Sequence, residues 1–240
     1  MLGLGLSLTK ADVSGFDPSE LPSLLHWYRL GTGITTATVE VEGSDNALLQ
    51  VTRWSDQKGS NHVAPSSIEN ASVMPQLQAD GTIKFQGAND TLNFNSALSL
   101  RTFAVYFKIK WDASDTIPSA DLMEGSSDFL KLANDSEARI KIGAGSGARH
   151  DFAINEIVEG NKFILGYERK SNGDMEVYKD NVKATANDGD SLNRAITNVM
   201  SLTQMGKPGN DAFWYEVVIC DNSLTDVERN NLYDYLLSVG

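Results

Sequence analysis

Apolar and polar residues alternate with a period of two along much of the chain. The clearest stretch is Phe103–Trp111, where Phe103, Val105, Phe107, Ile109 and Trp111 share one face and Ala104, Tyr106, Lys108 and Lys110 share the other. That alternation predicts a central strand with one face in a core. Weaker versions predict strands at Leu48–Trp54 and at residues 82–85, 139–142, 152–157, 163–168, 175–178 and 213–220. Turn-forming clusters separate these segments at short intervals, which is the rhythm of a sandwich or barrel.

Two reversals follow from local chemistry. Asn172-Gly173 suits the positive φ values of a type I′ hairpin turn between residues 163–169 and 175–178. Asp180-Asn181 offers a second tight reversal, so a three-stranded meander is expected. The long helix predicted by the pattern lies at the C-terminus. Thr225 and Glu228 fit a capping box, and Val227, Leu232, Tyr235, Leu236 and Val239 form a stripe at helical spacing. A shorter helix is expected over residues 19–26, with Asp17 as cap and Pro18 in the first turn.

Composition narrows the picture. The chain has 240 residues, a length that suits one sizeable core, and no linker or repeat divides it. Its 20 Gly, 20 Asp and 18 Asn against 6 Pro fit many tight turns. The formal charge of −12 argues against nucleic acid and anionic membrane surfaces as partners. The lone Cys220 excludes an intrachain disulfide framework and any Cys-based zinc cluster. Residues 1–8 are apolar but lack a basic region and are too short for a secretion signal, and no apolar run reaches the ~20 residues of a membrane helix.

Candidate chemistry is sparse. Gly143-Ala144-Gly145-Ser146-Gly147 lacks the lysine and the strand–loop–helix setting of a phosphate cradle. His26, His62 and His150 lie far apart in sequence, so a zinc site would need long-range convergence. A Ser-His-Asp triad has no nucleophile elbow to support it. Glu40 and Glu42 have the i, i+2 spacing of a glycosidase pair but sit in a polar stretch, which reads as a solvated hairpin. Glu216 and Asp221 would point to opposite faces of a regular strand. Asn187-Asp188-Gly189-Asp190 offers hard oxygens for calcium without the EF-hand order, so an acidic turn is the default and calcium the minority reading. No other cofactor is indicated.

Two stretches carry a family resemblance. Trp54-Ser55-Asp56-Gln57-Lys58-Gly59 and Phe85-Gln86-Gly87-Ala88-Asn89-Asp90-Thr91-Leu92 resemble the turn and strand motifs of concanavalin A-like (LamG-like) jelly rolls. The segment from Leu21 to Tyr28, and the last strand with its closing helix, are similar to that family's two ends. The resemblance implies an all-β fold, a concanavalin A-like jelly-roll β-sandwich of two antiparallel sheets with a C-terminal α-helix. An N-terminal arm would span residues 1–15 and a single sandwich domain residues 16–240. The motif residues Trp54, Asp56, Gly59, Phe85, Gly87 and Asp90 read as scaffold: core fillers, amide acceptors and glycines supplying positive φ. The strand motif Glu-x-Asp-x-x-Glu of laminarinases built on this fold is absent, so catalysis is not expected.

Stand-alone modules of this kind resemble virion structural proteins of tailed bacteriophages, which are often fibres, decoration proteins or adhesion modules. The resemblance therefore implies a non-enzymatic virion component made in the host cytoplasm, contacting other virion proteins and forming a homo-oligomer. The apolar arm suits docking to another chain, and a frayed terminus accounts for it equally well. A glycan-binding module is the alternative, with Tyr28, Trp111, Tyr178 and Trp214 as candidate sugar-stacking aromatics that also fit a core. A glycoside hydrolase is the third reading.

Overall fold

The computed structural model describes residues 15–39, 48–70, 73–86, 89–112, 119–144, 148–187, 195–206 and 212–240. Residues 1–14 of the predicted arm, Glu40 and Glu42, Gly87, and Asp188-Gly189-Asp190 of the candidate calcium turn lie outside these residues. The fold is all-β, with antiparallel strands and one C-terminal helix.

In chain order the strands are β1 (Leu24–Tyr28), β2 (Ile34–Val39), β3 (Leu48–Trp54), β4 (Val63–Ala64), β5 (Gln76–Leu77) and β6 (Ile83–Phe85). They continue with β7 (Thr91–Leu100), β8 (Phe103–Trp111), β9 (Ala120–Glu124), β10 (Phe129–Asn134), β11 (Glu137–Lys141) and β12 (Arg149–Ala153). The last are β13 (Lys162–Arg169), β14 (Met175–Lys179), β15 (Val182–Lys183), β16 (Thr185–Ala186), β17 (Met200–Gly206) and β18 (Ala212–Cys220), followed by the helix α1 (Asp226–Ser238).

Pairings fall into two runs. The first is centred on β18, which pairs with β8 on one side and with β6 and then β1 on the other. It continues from β8 through β13 and β14 to β15. The second passes from β4 through β7, β17, β9, β10, β11 and β12 to β16. The hairpin β2–β3 links them, because β3 pairs with β4 and, through β5, with β6.

One hydrophobic cluster draws residues from both runs. It takes Phe103, Val105, Phe107, Ile109 and Trp111 from β8, as the alternation predicts, and residues such as Leu98, Leu130 and Ile140 from the second run. Around Trp214 the rings of Phe85 and Phe107 pack at 5.0 and 5.5 Å. A buried aromatic of this kind contributes roughly 1.5–3 kcal/mol by area alone.

The other face of the first run is covered by α1 and holds charge as well as apolar surface. Leu232 and Leu236 pack there against Ala104, Ile164 and Val218. Beside them Glu168 and Arg229 are both buried, with Arg229 Nε 2.9 Å from Glu168 Oε1. Tyr106 donates its hydroxyl to the same carboxylate at 2.6 Å, and the Arg229 guanidinium lies 4.2 Å from the Tyr178 ring. Gly166 makes room for this, since a Cβ there would stand 2.3 Å from the Tyr106 ring. At the other end of α1, Lys108 Nζ donates to the carbonyls of Leu236, Leu237 and Val239, completing groups that a helix terminus leaves open. Between them, Trp27 Nε1 and Tyr235 OH each donate to Glu216 Oε1 at 2.5 Å.

Several local expectations need correction. Asp17 does cap a turn, but only Pro18–Glu20 is helical, and β1 takes over residues 24–26 at the end of the segment expected as a helix. Leu21 precedes Pro22 and is extended, because the proline ring disfavours the helical region for the residue before it. The Asn172-Gly173 turn is not type I′, as only Gly173 has positive φ; the adjacent pair Asp180 and Asn181, at φ 50 and 62, adopts the two left-handed conformations that a type I′ turn requires. The strand expected at 152–157 runs at Arg149–Ala153. The capping box of Thr225 and Glu228 forms, yet Val227 is exposed and the buried first-turn residue is Arg229. The meander β13–β14–β15 stands as expected, and its Glu176 accepts from Lys170, Lys183 and Tyr178. Burial pushes the Glu176 carboxyl up, but those hydrogen bonds outweigh it and hold it at about 2.

Two tests follow from the seam under α1. Arg229→Met should cost about 3–5 kcal/mol in denaturant unfolding, because it leaves Glu168 charged and buried; adding Glu168→Gln should recover part of the loss. Burial raises Glu216 above the usual carboxylate range despite the hydrogen bonds from Tyr235 and Trp27. The stability tied to its neutral form is therefore complete below the ordinary value of about 4.3 and falls as pH rises through the raised one. Unfolding of Glu216→Gln across that range should lack the fall.

Candidate functional site

The turn that follows β3 is pinned to β1 by one carboxylate. Asp56 Oδ2 lies 2.7 Å from His26 Nδ1, and Oδ1 accepts the amides of Trp27 and Lys58 at 3.1 and 3.0 Å. Its own amide donates to His62 Nδ1 at 3.1 Å. Gln57 N donates to Trp27 O at 2.7 Å, and the Tyr28 hydroxyl donates to Asn61 O, so both ends of the turn are tied to the same strand. Burial pushes the Asp56 carboxyl up, but the bonds from His26 and the amides of Trp27, Lys58 and Gly59 prevail and hold it below the usual carboxylate range.

Gly59 has a reason different from the one expected. Its φ is not left-handed; instead a Cβ would stand 2.9 Å from Asp56 Oδ2, so any side chain would crowd the carboxylate. Trp54 is fully buried, 5.6 Å from the Tyr28 ring, and donates Nε1 to Arg29 O at 3.0 Å. Phe85 is fully buried against Trp214, and Asp90 accepts the Gln86 amide at 2.7 Å.

This turn forms one wall of a surface groove. A cavity of about 330 Å³ is lined by His26, Ser60, Asn61, Ser96 and Ser99, with Leu25 and Leu98 among its apolar surfaces. A second, of about 520 Å³, shares Ser99 and is lined by Arg101, Thr102, Val199 and Asp221. The walls are held together by polar bonds. Asn61 and Ser96 exchange two of them at 3.0 and 2.9 Å, Asn95 N donates to His62 O at 3.0 Å, and Thr102 Oγ1 donates to Asp221 O at 2.8 Å. The irregular register of β7 against β17 between Leu202 and Gln204 lies opposite the exposed residues Asn95, Ser96 and Ala97.

Hydroxyls, an amide, an imidazole and a guanidinium offer both donors and acceptors, suited to a hydroxyl-rich ligand. The carboxylate behind His26 is already occupied by its own turn. The candidate sugar-stacking aromatics are elsewhere: Tyr28, Trp111 and Trp214 are fully buried and Tyr178 nearly so, because each packs in the core or beneath α1. They present no face to a ligand. Burial also pushes the Cys220 thiol up to about 12, which leaves it a core group rather than a nucleophile. Among the described residues no group of three or more His, Cys, Asp or Glu is placed to hold a metal, and no helix is long and apolar enough to cross a membrane.

The convergence of His26 and His62 on Asp56 has no sequence signal beyond the Trp-x-Asp-x-x-Gly turn. The three residues are 30 and 6 positions apart, and they meet only because β1 lies beside the turn.

No protein-family model matches the chain, and no curated protein matches it. Among solved structures it is similar to Trypanosoma rangeli sialidase in complex with sialic acid, at 14% identity and TM-score 0.59, over 91% of this chain and 34% of that one. It is also similar to the botulinum neurotoxin serotype D binding domain, at 12% identity and TM-score 0.56, over 90% of this chain and 51% of that one. The same toxin's ligand-binding domain in complex with N-acetylneuraminic acid gives 13% identity and TM-score 0.55, over 89% and 51%. The chain thus spans about a third of the sialidase and about half of the toxin domain, and the likeness is one of fold.

Asp56→Asn should destabilise the protein by about 2 kcal/mol at neutral pH, since it exchanges a charge-assisted acceptor for an amide among several donors. The wild-type contribution, present above the ordinary carboxylate value, should disappear as pH falls through the lowered one, and denaturant melts of both proteins at neutral and acid pH would show it.

Proposed function

We propose that the chain is a non-enzymatic carbohydrate-binding module, built as a concanavalin A-like jelly-roll sandwich, and that its ligand occupies the groove between the Asp56 turn and β7. The observation that carries this reading is the run of side-chain donors and acceptors from His26 through Asn61, Ser96 and Ser99 to Arg101, with Leu25 and Leu98 beside them. The sandwich reading is supported by two antiparallel runs enclosing one core. Fold likeness adds weight, since two of the similar structures are described as complexes with sialic acid and N-acetylneuraminic acid. Binding here rests on hydrogen bonds, because the aromatics expected to stack on sugars are committed to the core.

A hydrolase reading is weaker because the groove's carboxylates do not form a working pair. Asp56 is spent on His26 and three amides, whereas most glycosidase families place two carboxyl groups across the scissile bond, sialidases with their tyrosine nucleophile being an exception. The virion setting, with other virion proteins and further copies of this chain as partners, rests on the sequence resemblance. Mass spectrometry of purified particles is its direct check, and absence of the chain would remove it.

A glycan array should give hits that Ser99→Trp, placed where the two cavities meet, weakens by about tenfold or more, or ~1.4 kcal/mol, with an unchanged melting temperature. A silent array, or a variant that binds as wild type does, would remove the groove as the site.

A further inference from the structure

The hairpin β2–β3 leaves one strand edge open. Among the described residues β2 pairs with β3 alone, and the register irregularity between Thr35 and Thr36 places the extra residue, Thr52, on β3. β2 itself is regular, so its main-chain groups alternate between the two sides. Gly33 O accepts Ser55 N at 2.9 Å and Thr35 O accepts Thr52 Oγ1 at 3.1 Å, so the odd positions turn toward β3. Ile34, Thr36 and Thr38 turn their N–H and C=O groups outward, where no described residue bonds to them. The outer edge of β1, by contrast, is closed by the Asp56 turn through Gln57 N and Asp56 Oδ1.

Strand edges are normally guarded by lysine, proline or a bulge of their own. β2 has none of these. Residues 30–39 carry no charged side chain, on a chain with 32 acidic and 20 basic ones. The strand reads Ile-Thr-Thr-Ala-Thr-Val, a largely β-branched run that favours extended pairing. Thr35 and Thr38 are exposed, and Ile34, Thr36 and Ala37 are half-buried.

Charge and register together select the occupant. An added strand must bring an uncharged extended run of its own, and two copies of a chain of formal charge −12 approach most easily where neither carries charge. Antiparallel pairing sets each outward-bonding residue against another of its kind. The register that uses all three outward residues centres on Thr36. There Thr36 faces Thr36 of the other copy, and Ile34 faces Thr38, each pair exchanging two main-chain hydrogen bonds. On the other face Thr35 stands against Ala37. A two-fold axis at Thr36 therefore satisfies the whole edge and closes the assembly, with threonine and β-branched pairs of the kind that stabilise adjacent strands.

We infer that β2 is a self-association edge, pairing antiparallel with β2 of a second copy across a two-fold axis at Thr36. The inference rests neither on carbohydrate binding nor on the virion setting. The contact is smaller than the ~1,200 Å² of a stable complex, so the dimer dissociates on dilution. Sedimentation of the full chain up to about 1 mM should show a monomer–dimer equilibrium, and salt should strengthen it by screening the charge of the two copies. Thr35→Lys, which puts like charges on a cross-strand diagonal, should weaken it about tenfold. Thr35→Lys/Ala37→Glu, in which each added cation faces an added anion, should recover most of that loss.

The native thiol, Cys220, is buried, so an introduced cysteine reads the register directly. Under mild oxidation Thr36→Cys should give an intermolecular disulfide, because facing Cα atoms at ~5.5 Å lie within its reach. Thr38→Cys should not, as its counterpart lies four residues along the strand, roughly 14 Å away. A monomer at every concentration, a dimer untouched by Thr35→Lys, no recovery in the double variant, or equal cross-linking from positions 36 and 38 would overturn the assignment. Circular dichroism and melting temperatures matching wild type would show that each variant folds.

Discussion

The buried pair of Glu168 and Arg229 is the constraint on which the outer half of the structure depends. Glu168 stands near the end of β13, on a face that would otherwise meet water, and a carboxylate without solvent is tolerable only with a charge partner and hydrogen bonds. Arg229 supplies the charge and Tyr106 a hydroxyl, and Arg229 also reaches Asp226 and the carbonyl of Leu224. The helix is therefore held by a polar seam as well as by Leu232 and Leu236. Lys108 at its far end and Glu216 between them extend the same principle, so the position of α1 on the sheet is set by directional bonds rather than by greasy contact alone.

That placement has consequences on both sides. Trp27, which donates to Glu216, belongs to β1, and the amide of the same residue donates to Asp56. One strand thus connects the helix seam to the turn that walls the groove. Beyond the end of α1, Lys84 and Lys110 gather around Phe213, all three half-buried. Acidic composition alone would suggest a uniformly negative exterior; the register of four strands concentrates positive charge in one rank of it.

Much of the scaffold was legible from period and punctuation. β3 and β8 have the bounds expected from their alternation, and the capping box of α1 forms between Thr225 and Glu228. Local signals failed where a tertiary partner outweighed them. Asp17 and Pro18 announce a helix, yet the segment after Pro22 pairs with β18 and becomes β1. Asn-Gly announces a type I′ turn, but the neighbouring Asp180-Asn181 adopts that geometry because only two residues separate the paired Lys179 and Val182. The candidate site was less legible. Tyr28, Trp111, Tyr178 and Trp214 carry the chemistry of sugar stacking, and nothing in the local pattern distinguishes a buried ring from an exposed one.

By itself the sequence determined the strand rhythm, the C-terminal helix with its cap, and the Trp-x-Asp-x-x-Gly turn, because each depends on contacts within a few residues. Only the tertiary structure decided that His26 and His62 meet at Asp56, that Gly59 is there for closeness rather than for φ, and that Lys84, Lys110 and Lys162 stand in one rank with Phe213. These arrangements join residues from strands distant in the chain. Their geometry is fixed by strand register and by which face each strand turns to the core, and a one-residue change in either would scatter them.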